Sequence, residues 1–382
     1  MDAVVLAGGV GKRLLPLTRL TPKPFLKVAG RPLYKYSLDE IEPLLPRLGR
    51  VVVVTPPGYP GIPPGLPGWA EAVSQSGEGL EAGIATGLSE VEGGEVLLSF
   101  TGYLSSPPGI VRQVLDFYSA TGYSLVMAVA PVATGVETYG FIDMDPGGPV
   151  RRVTDRPPEE WMAGRGMVFA GVMVGEARAL KVLATRGYIA GLNELAKTGA
   201  LGATVWPGEW VEVGYPWDLL SVPKVLLHRR PALVEDGAVI ERTAVVQGSV
   251  VVKREAHIGE GAVVRGPAYI GAKSRVEEGA VVGPGAIVED GVQIGPNTVV
   301  KDSVVMEGAR VGASCIIEGS VIGEKAQVKP LTVLEAREPV MVPERLRGAL
   351  ESLKEKPRLG AIIAPLRTIG PLAYHGGGAT VE

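Results

Sequence analysis

From residue 240 onward an apolar residue returns every six positions, at Ile240, Val246, Val252, Ile258, Val264, Ile270, Val276, Val282, Val288, Ile294 and Val300. The phase then slips and resumes at Val305, Val311, Ile317, Ile322, Val328 and Leu334. A small residue usually stands two places earlier, and glycine often follows. A period of six does not match the 3.6 residues of an α-helical turn, and ordinary strand alternation would not enforce it. Short strands joined by turns into a three-sided coil do, with three hexads per coil and the branched side chain pointing into the prism. The repeat starts near residue 230 and resembles the left-handed parallel β-helix of the hexapeptide-repeat family. Beyond it, Pro343–Lys356 has the spacing of a short amphipathic helix, with Leu346, Leu350 and Leu353 on one face. The runs Leu359–Ile363 and Arg367–Gly370 read as a worn return of the repeat that caps the coil.

The first 229 residues follow another rule. Apolar runs at Ala3–Ala7, Val51–Thr55, Glu95–Phe100 and Ser124–Val132 have the length of buried strands. They alternate with helical periodicity at Leu33–Leu45, Gly79–Val91 and Gly109–Ala120. Strand and helix in alternation predict an α/β layer with a mostly parallel sheet covered on both faces. Two domains are therefore expected, 1–229 and 230–382, and 382 residues suffice for two cores.

The densest motif follows the first strand: Leu6-Ala7-Gly8-Gly9-Val10-Gly11-Lys12-Arg13-Leu14-Leu15-Pro16-Leu17-Thr18, then Pro22-Lys23-Pro24. A glycine-rich turn there lets backbone amides approach phosphate oxygens with no Cβ in the way. Arg13 as a planar fork and Lys23 as a point charge would oppose a triphosphate. Three glycines alone leave a dinucleotide-binding turn or a simple tight turn open. With its Arg13, Pro16-Leu17-Thr18 and Pro22-Lys23-Pro24 extension, the segment resembles the opening of the sugar-1-phosphate nucleotidylyltransferases. In that family a sugar phosphate oxygen attacks the α-phosphorus of a nucleoside triphosphate and pyrophosphate leaves, usually with Mg²⁺.

The resemblance implies a Rossmann-like mixed sheet followed by the β-helix, and it carries further residues. Arg13 and Lys23 take the catalytic positions; Leu6, Gly8, Gly9, Gly11, Gln75 and Gly79 take the nucleotide; Tyr139, Gly140, Asp155, Arg156 and Gly171 take the sugar phosphate; Glu212 takes the metal. Several matches are altered. Glu81 stands where the base-reading segment has alanine, Asp155-Arg156-Pro157 replaces Glu-Lys-Pro, and Glu212 replaces an aspartate. The Gly-Asp that holds the metal in the family is Gly102-Tyr103 here, and a phenol with a pKa near 10 is a poor Mg²⁺ ligand. Asp218 and Asp143 are candidate substitutes.

Two functions follow: a nucleotidylyltransferase making an NDP-sugar from an NTP and a sugar-1-phosphate, or a catalytically silent relative that binds nucleotide or NDP-sugar as a regulatory or assembly subunit. Acetyl transfer on the β-helix is not expected, because the Gly-His-Leu and Asn-Leu-Arg segments of bifunctional relatives are missing and His257 is the repeat's one histidine between Asp236 and Leu334. A net charge of -3 gives no basic field for nucleic acid. No stretch approaches the roughly 20 apolar residues of a membrane span. A single cysteine, Cys315, and a start without a signal-peptide pattern point to the cytoplasm. Two asparagines against 32 prolines suit a hot-growing source. Hexapeptide prisms commonly associate along their flat faces, so a homotrimer is expected.

Overall fold

The structure is a computed structural model that describes residues 1–131, 140–155, 166–228, 230–339 and 358–382. The Pro343–Lys356 helix expected from the sequence lies outside the described residues. The N-terminal sheet begins with β1 (Asp2–Leu6), which continues through α1 (Leu33–Ile41), β2 (Val51–Thr55), β3 (Glu71–Ser74), α2 (Leu80–Ser89) and β4 (Glu95–Phe100). β1 pairs in parallel with β2 on one side and β4 on the other, and β3 extends the sheet beyond β2. After β5 (Tyr103–Ser106) and α3 (Ile110–Ala120), the strands β6 (Leu125–Pro131), β7 (Phe141–Met144), β8 (Val150–Thr154) and β9 (Met167–Glu176) follow. β9 runs antiparallel to β4 and to β6, so the nine-stranded sheet is mixed. Every residue of β1 and β2 is buried. One core packs beneath α1 and α3 and another beneath α2, α4 (Ala177–Arg186) and α5 (Tyr188–Lys197), so both faces are covered.

β10 (Leu201–Val205) joins β6 in parallel, and β11 (Glu209–Glu212) forms a separate antiparallel ribbon with β5. α6 (Val222–Leu227) then leads into the prism, whose strands stack as three parallel sheets. The hexad positions from Val252 to Leu334 all point into its buried core, and Ile363 and Ile369 extend the series. The slip in the repeat has a local cause. Equivalent residues are 18 apart in the early coils (Val264↔Val282) and 17 apart later (Val300↔Ile317). Inward positions are six apart at the corner Val282 to Val288 and five apart at Val300 to Val305. Gly283-Pro284 turns the longer corner; at the shorter one the Ser303 hydroxyl donates to Lys301 O at 2.6 Å and accepts from Ser320 N–H at 3.1 Å. That corner also carries the excursion between Glu335 and Ala361, after which the coil resumes by pairing Val321 with Ile362. The runs near residues 360 and 369 are thus a genuine final coil.

The prism's first face meets the N-terminal domain. Its outward residues Val251, Tyr269, Ile287, Val304, Val321 and Ile362 form a core with Leu14, Leu17, Leu26, Val28 and Leu226. Polar contacts flank it: Gly30 N–H donates to Glu289 Oε2 at 2.9 Å, Lys27 Nζ reaches Asp290 at 3.2 Å and Glu307 at 2.9 Å, and Thr21 Oγ1 donates to Glu324 at 3.1 Å. No helix among the described residues is long and apolar enough to cross a membrane.

Candidate functional site

A cleft of about 700 Å³ opens where β1 and β4 end, lined by the Gly8–Arg13 turn, Lys23, Gln75, Gly79, Tyr103, Gly140, Asp155 and Glu212. Most of the residues singled out in the sequence therefore converge. The turn is shaped by neighbours that leave no room for side chains. A Cβ on Gly8 would stand 2.0 Å from Gln75 Oε1, and one on Gly11, at φ +81°, 2.8 Å from Lys23 Cβ. Thr18 Oγ1 donates to Gly11 O at 2.9 Å and holds the loop closed. Gly9 faces open space, so its backbone is free to approach a ligand.

Opposite the turn, Glu212 ends β11 with only 4% of its side chain exposed and carries two cations on one oxygen: Arg13 Nη2 at 3.3 Å and Lys23 Nζ at 3.8 Å. Burial raises the Glu212 pKa, with Lys23 and Arg13 opposing. Burial likewise lowers Lys23, with Glu212 opposing and Arg13 adding to the drop. Burial also works against the charge on Arg13, but Glu212, Tyr215 and Tyr103 outweigh it and hold it above its ordinary value. The guanidinium lies over the Tyr215 ring, 5.2 Å from its centroid. Gly102 makes room for Lys23, whose Cε would lie 2.4 Å from a Cβ there. A phosphate entering the cleft would meet two cations held ready by a carboxylate it must displace.

The donor set does not suit Mg²⁺, which prefers carboxylate and phosphate oxygens in an octahedron. Among the described residues no group of three His, Cys, Asp or Glu side chains gathers. Glu212 Oε2 is buried with no hydrogen-bond partner, but its other oxygen is committed to two cations. Tyr103, opposite Glu212 in the ribbon, is held well above its ordinary pKa by burial and then by Glu212, so it stays a neutral phenol. Asp218 is no substitute: its Oδ2 accepts from Gly214 and Tyr215 N–H at 2.8 and 2.6 Å, and burial pushes its pKa up to about 7. Asp143 lies on β7 and does not line the cleft.

Other expected residues sit differently. Gln75 spends its amide donors on Gly77 O and Gly79 O at 2.6 and 2.7 Å, so it builds the loop before α2. Glu81 accepts from Tyr188 N–H at 3.1 Å and ties α2 to α5. Gly171, at φ +89°, backs onto the Tyr103 ring, 2.4 Å from a would-be Cβ, and opens on a separate interdomain cavity of about 760 Å³. Tyr139 and Arg156 lie outside the described residues. Sequence reasoning missed the aromatic wall of Phe100, Phe169 and Tyr188; the Tyr188 hydroxyl is buried with no hydrogen-bond partner among the described residues. No motif marks these residues, because they enter from three separate elements.

Residues 2–57 match the family described as Nucleotidyl transferase, and 264–342 match the GMPPB C-terminal domain. The bifunctional protein GlmU of Methanococcus maripaludis is 24% identical over 60% of this chain and 55% of its own length. The low-salt glycan biosynthesis nucleotidyltransferase Agl11 of Haloferax volcanii is 26% identical over 63% of this chain and 71% of its own length. The chain thus spans about half the length of the GlmU relatives it matches. A solved UDP-glucose pyrophosphorylase from Acinetobacter baumanii has a TM-score of 0.49 at 18% identity, covering 58% of this chain and 90% of that one.

Proposed function

We infer, from a chain that belongs with the sugar-1-phosphate nucleotidyltransferases carrying a C-terminal β-helix, that its cleft joins an NTP to a sugar-1-phosphate. The observation that carries this reading is the meeting of the Gly8–Gly11 turn with Arg13 and Lys23 on one wall. Backbone amides of the turn cradle the triphosphate, while Arg13 and Lys23 neutralise charge as it moves to the leaving group. A sugar phosphate oxygen forms a bond to the α-phosphorus, the bond from that phosphorus to the bridging oxygen breaks, and the electron pair leaves with pyrophosphate. Gly140 and Asp155 also line the cleft and are the residues offered to the sugar phosphate. Such substrates place the reaction in the cytoplasm. The test is pyrophosphate release from a panel of NTP and sugar-1-phosphate pairs, with and without Mg²⁺; turnover by any pair supports it, and none across the panel sinks it.

Tyr103 favours a second reading, a binding subunit without turnover. In that case nucleotide or NDP-sugar raises the melting temperature by mass action while no pyrophosphate forms. Tyr103→Asp then restores a carboxylate beside Glu212, and its gain of Mg²⁺-dependent turnover would separate the two readings.

A further inference from the structure

The three faces of the prism turn different chemistry outward. The first is apolar and covered by the N-terminal domain. The second is polar, with Arg275, Gln293, Arg310 and Gln327 stacked one per coil. The third is apolar again: Val263, Val281, Val299, Ile316 and Val333 form a column, with Val245 and Tyr374 at its ends. Val245, Ile316 and Tyr374 are 48%, 42% and 49% exposed. A face meant for water has no reason to differ from the second, and a contiguous apolar strip of this length marks a contact surface.

The charges beside the strip say what covers it. Two places further along four of these strands, Arg265 and Lys301 stand in the earlier coils and Glu318 and Glu335 in the later ones. Among the described residues Arg265, Lys301 and Glu318 form no salt bridge. We propose that a second copy of this chain packs face to face on the third face, with its coils running in the reverse order. A two-fold axis along the strands sets Lys301 against the partner's Glu318, and the contact occurs twice. The same operation lays Val299 on the partner's Ile316, so the apolar column matches itself. A parallel three-fold keeps equal coils level and gathers like charges together.

Sedimentation or light scattering of the full chain at micromolar concentration in about 0.1 M salt gives twice the chain mass. Ile316→Lys yields a folded monomer, since the replaced side chain is already 42% exposed. Lys301→Glu weakens the dimer about tenfold or more, and the double variant Lys301→Glu with Glu318→Lys restores it. Circular dichroism and melting curves confirm that each variant is folded. A monomeric or trimeric wild type overturns the proposal, as does a double variant no tighter than Lys301→Glu.

Discussion

The prism and the cleft bury polar groups by opposite rules. Inside the prism the buried polar side chains are mostly small and neutral, and most bond within their own coil or to the next: Thr298 Oγ1 accepts from Cys315 N–H at 3.1 Å, and Ser320 Oγ accepts from Ala361 N–H at 2.9 Å, while Glu289 Oε1, toward the N-terminal domain, has no partner among the described residues. The cleft buries Lys23 beside Glu212 and leaves the Tyr188 hydroxyl and Glu212 Oε2 without hydrogen-bond partners among the described residues. Repetition spreads stability over many equal units, whereas the cleft gathers ionisable side chains and the Tyr188 hydroxyl into one place where a ligand can meet them.

The sharpest break of this contrast is a charge in the prism. Val288→Asp places a carboxylate at a fully buried inward position and should cost at least about 4 kcal/mol, read as a drop in the denaturation midpoint. Gly102→Ala should cost roughly 2–3 kcal/mol, because its φ of +91° and the Lys23 stem both exclude a Cβ; the melting temperature reports it, and an unchanged value would remove the packing argument.

The boundary between the two regions yields a pH test. Burial pushes Glu289 up to about 8 from an ordinary 4.5, with the Gly30 N–H opposing. The folded state prefers the protonated acid, so this contribution is full below pH 4.5 and is lost as pH rises through about 8. Stability should fall across that window, and Glu289→Gln should flatten the slope in melting curves taken from pH 5 to 8. The smallest effect concerns the cleft itself. Glu212→Gln removes the carboxylate that competes for Arg13 and Lys23, so pyrophosphate should bind about tenfold tighter by calorimetry. Equal or weaker binding would mean that the carboxylate positions the two cations more than it occupies them.

The prism was the more legible region, because a six-residue period, with five-residue steps at Val300–Val305 and Ile317–Ile322, assigns every inward residue from Val252 to Leu334. The sequence did not tell which outward column would be covered, since the first and third faces are both Val- and Ile-rich and differ only in what the N-terminal domain brings to them. In the other half, strands such as Val51–Thr55 and Glu95–Phe100 stood out as apolar runs, and the Gly8–Lys23 wall as a local motif. The rest of the site depends on long-range convergence. Arg13 meets Glu212 from 199 residues away, Tyr188 arrives on a helix start, and Gln75 turns its donors into its own loop. The resemblance names Arg13, Gln75 and Glu212, but no spacing in the sequence shows these contacts or that Tyr188 joins them.

The contacts between the two domains have a mechanical consequence. Asp290, Glu307 and Glu324 recur once per coil, and Lys27 and Thr21 engage them while Arg19 reaches Glu382 at 2.5 Å. Attachment points spread along the prism axis fix a rigid body against both tilt and swivel. The cleft therefore cannot gape by swinging away from its pedestal without breaking several of these anchors together. Any opening or closing around a ligand has to come from motion within the N-terminal domain, with the prism as its stationary frame.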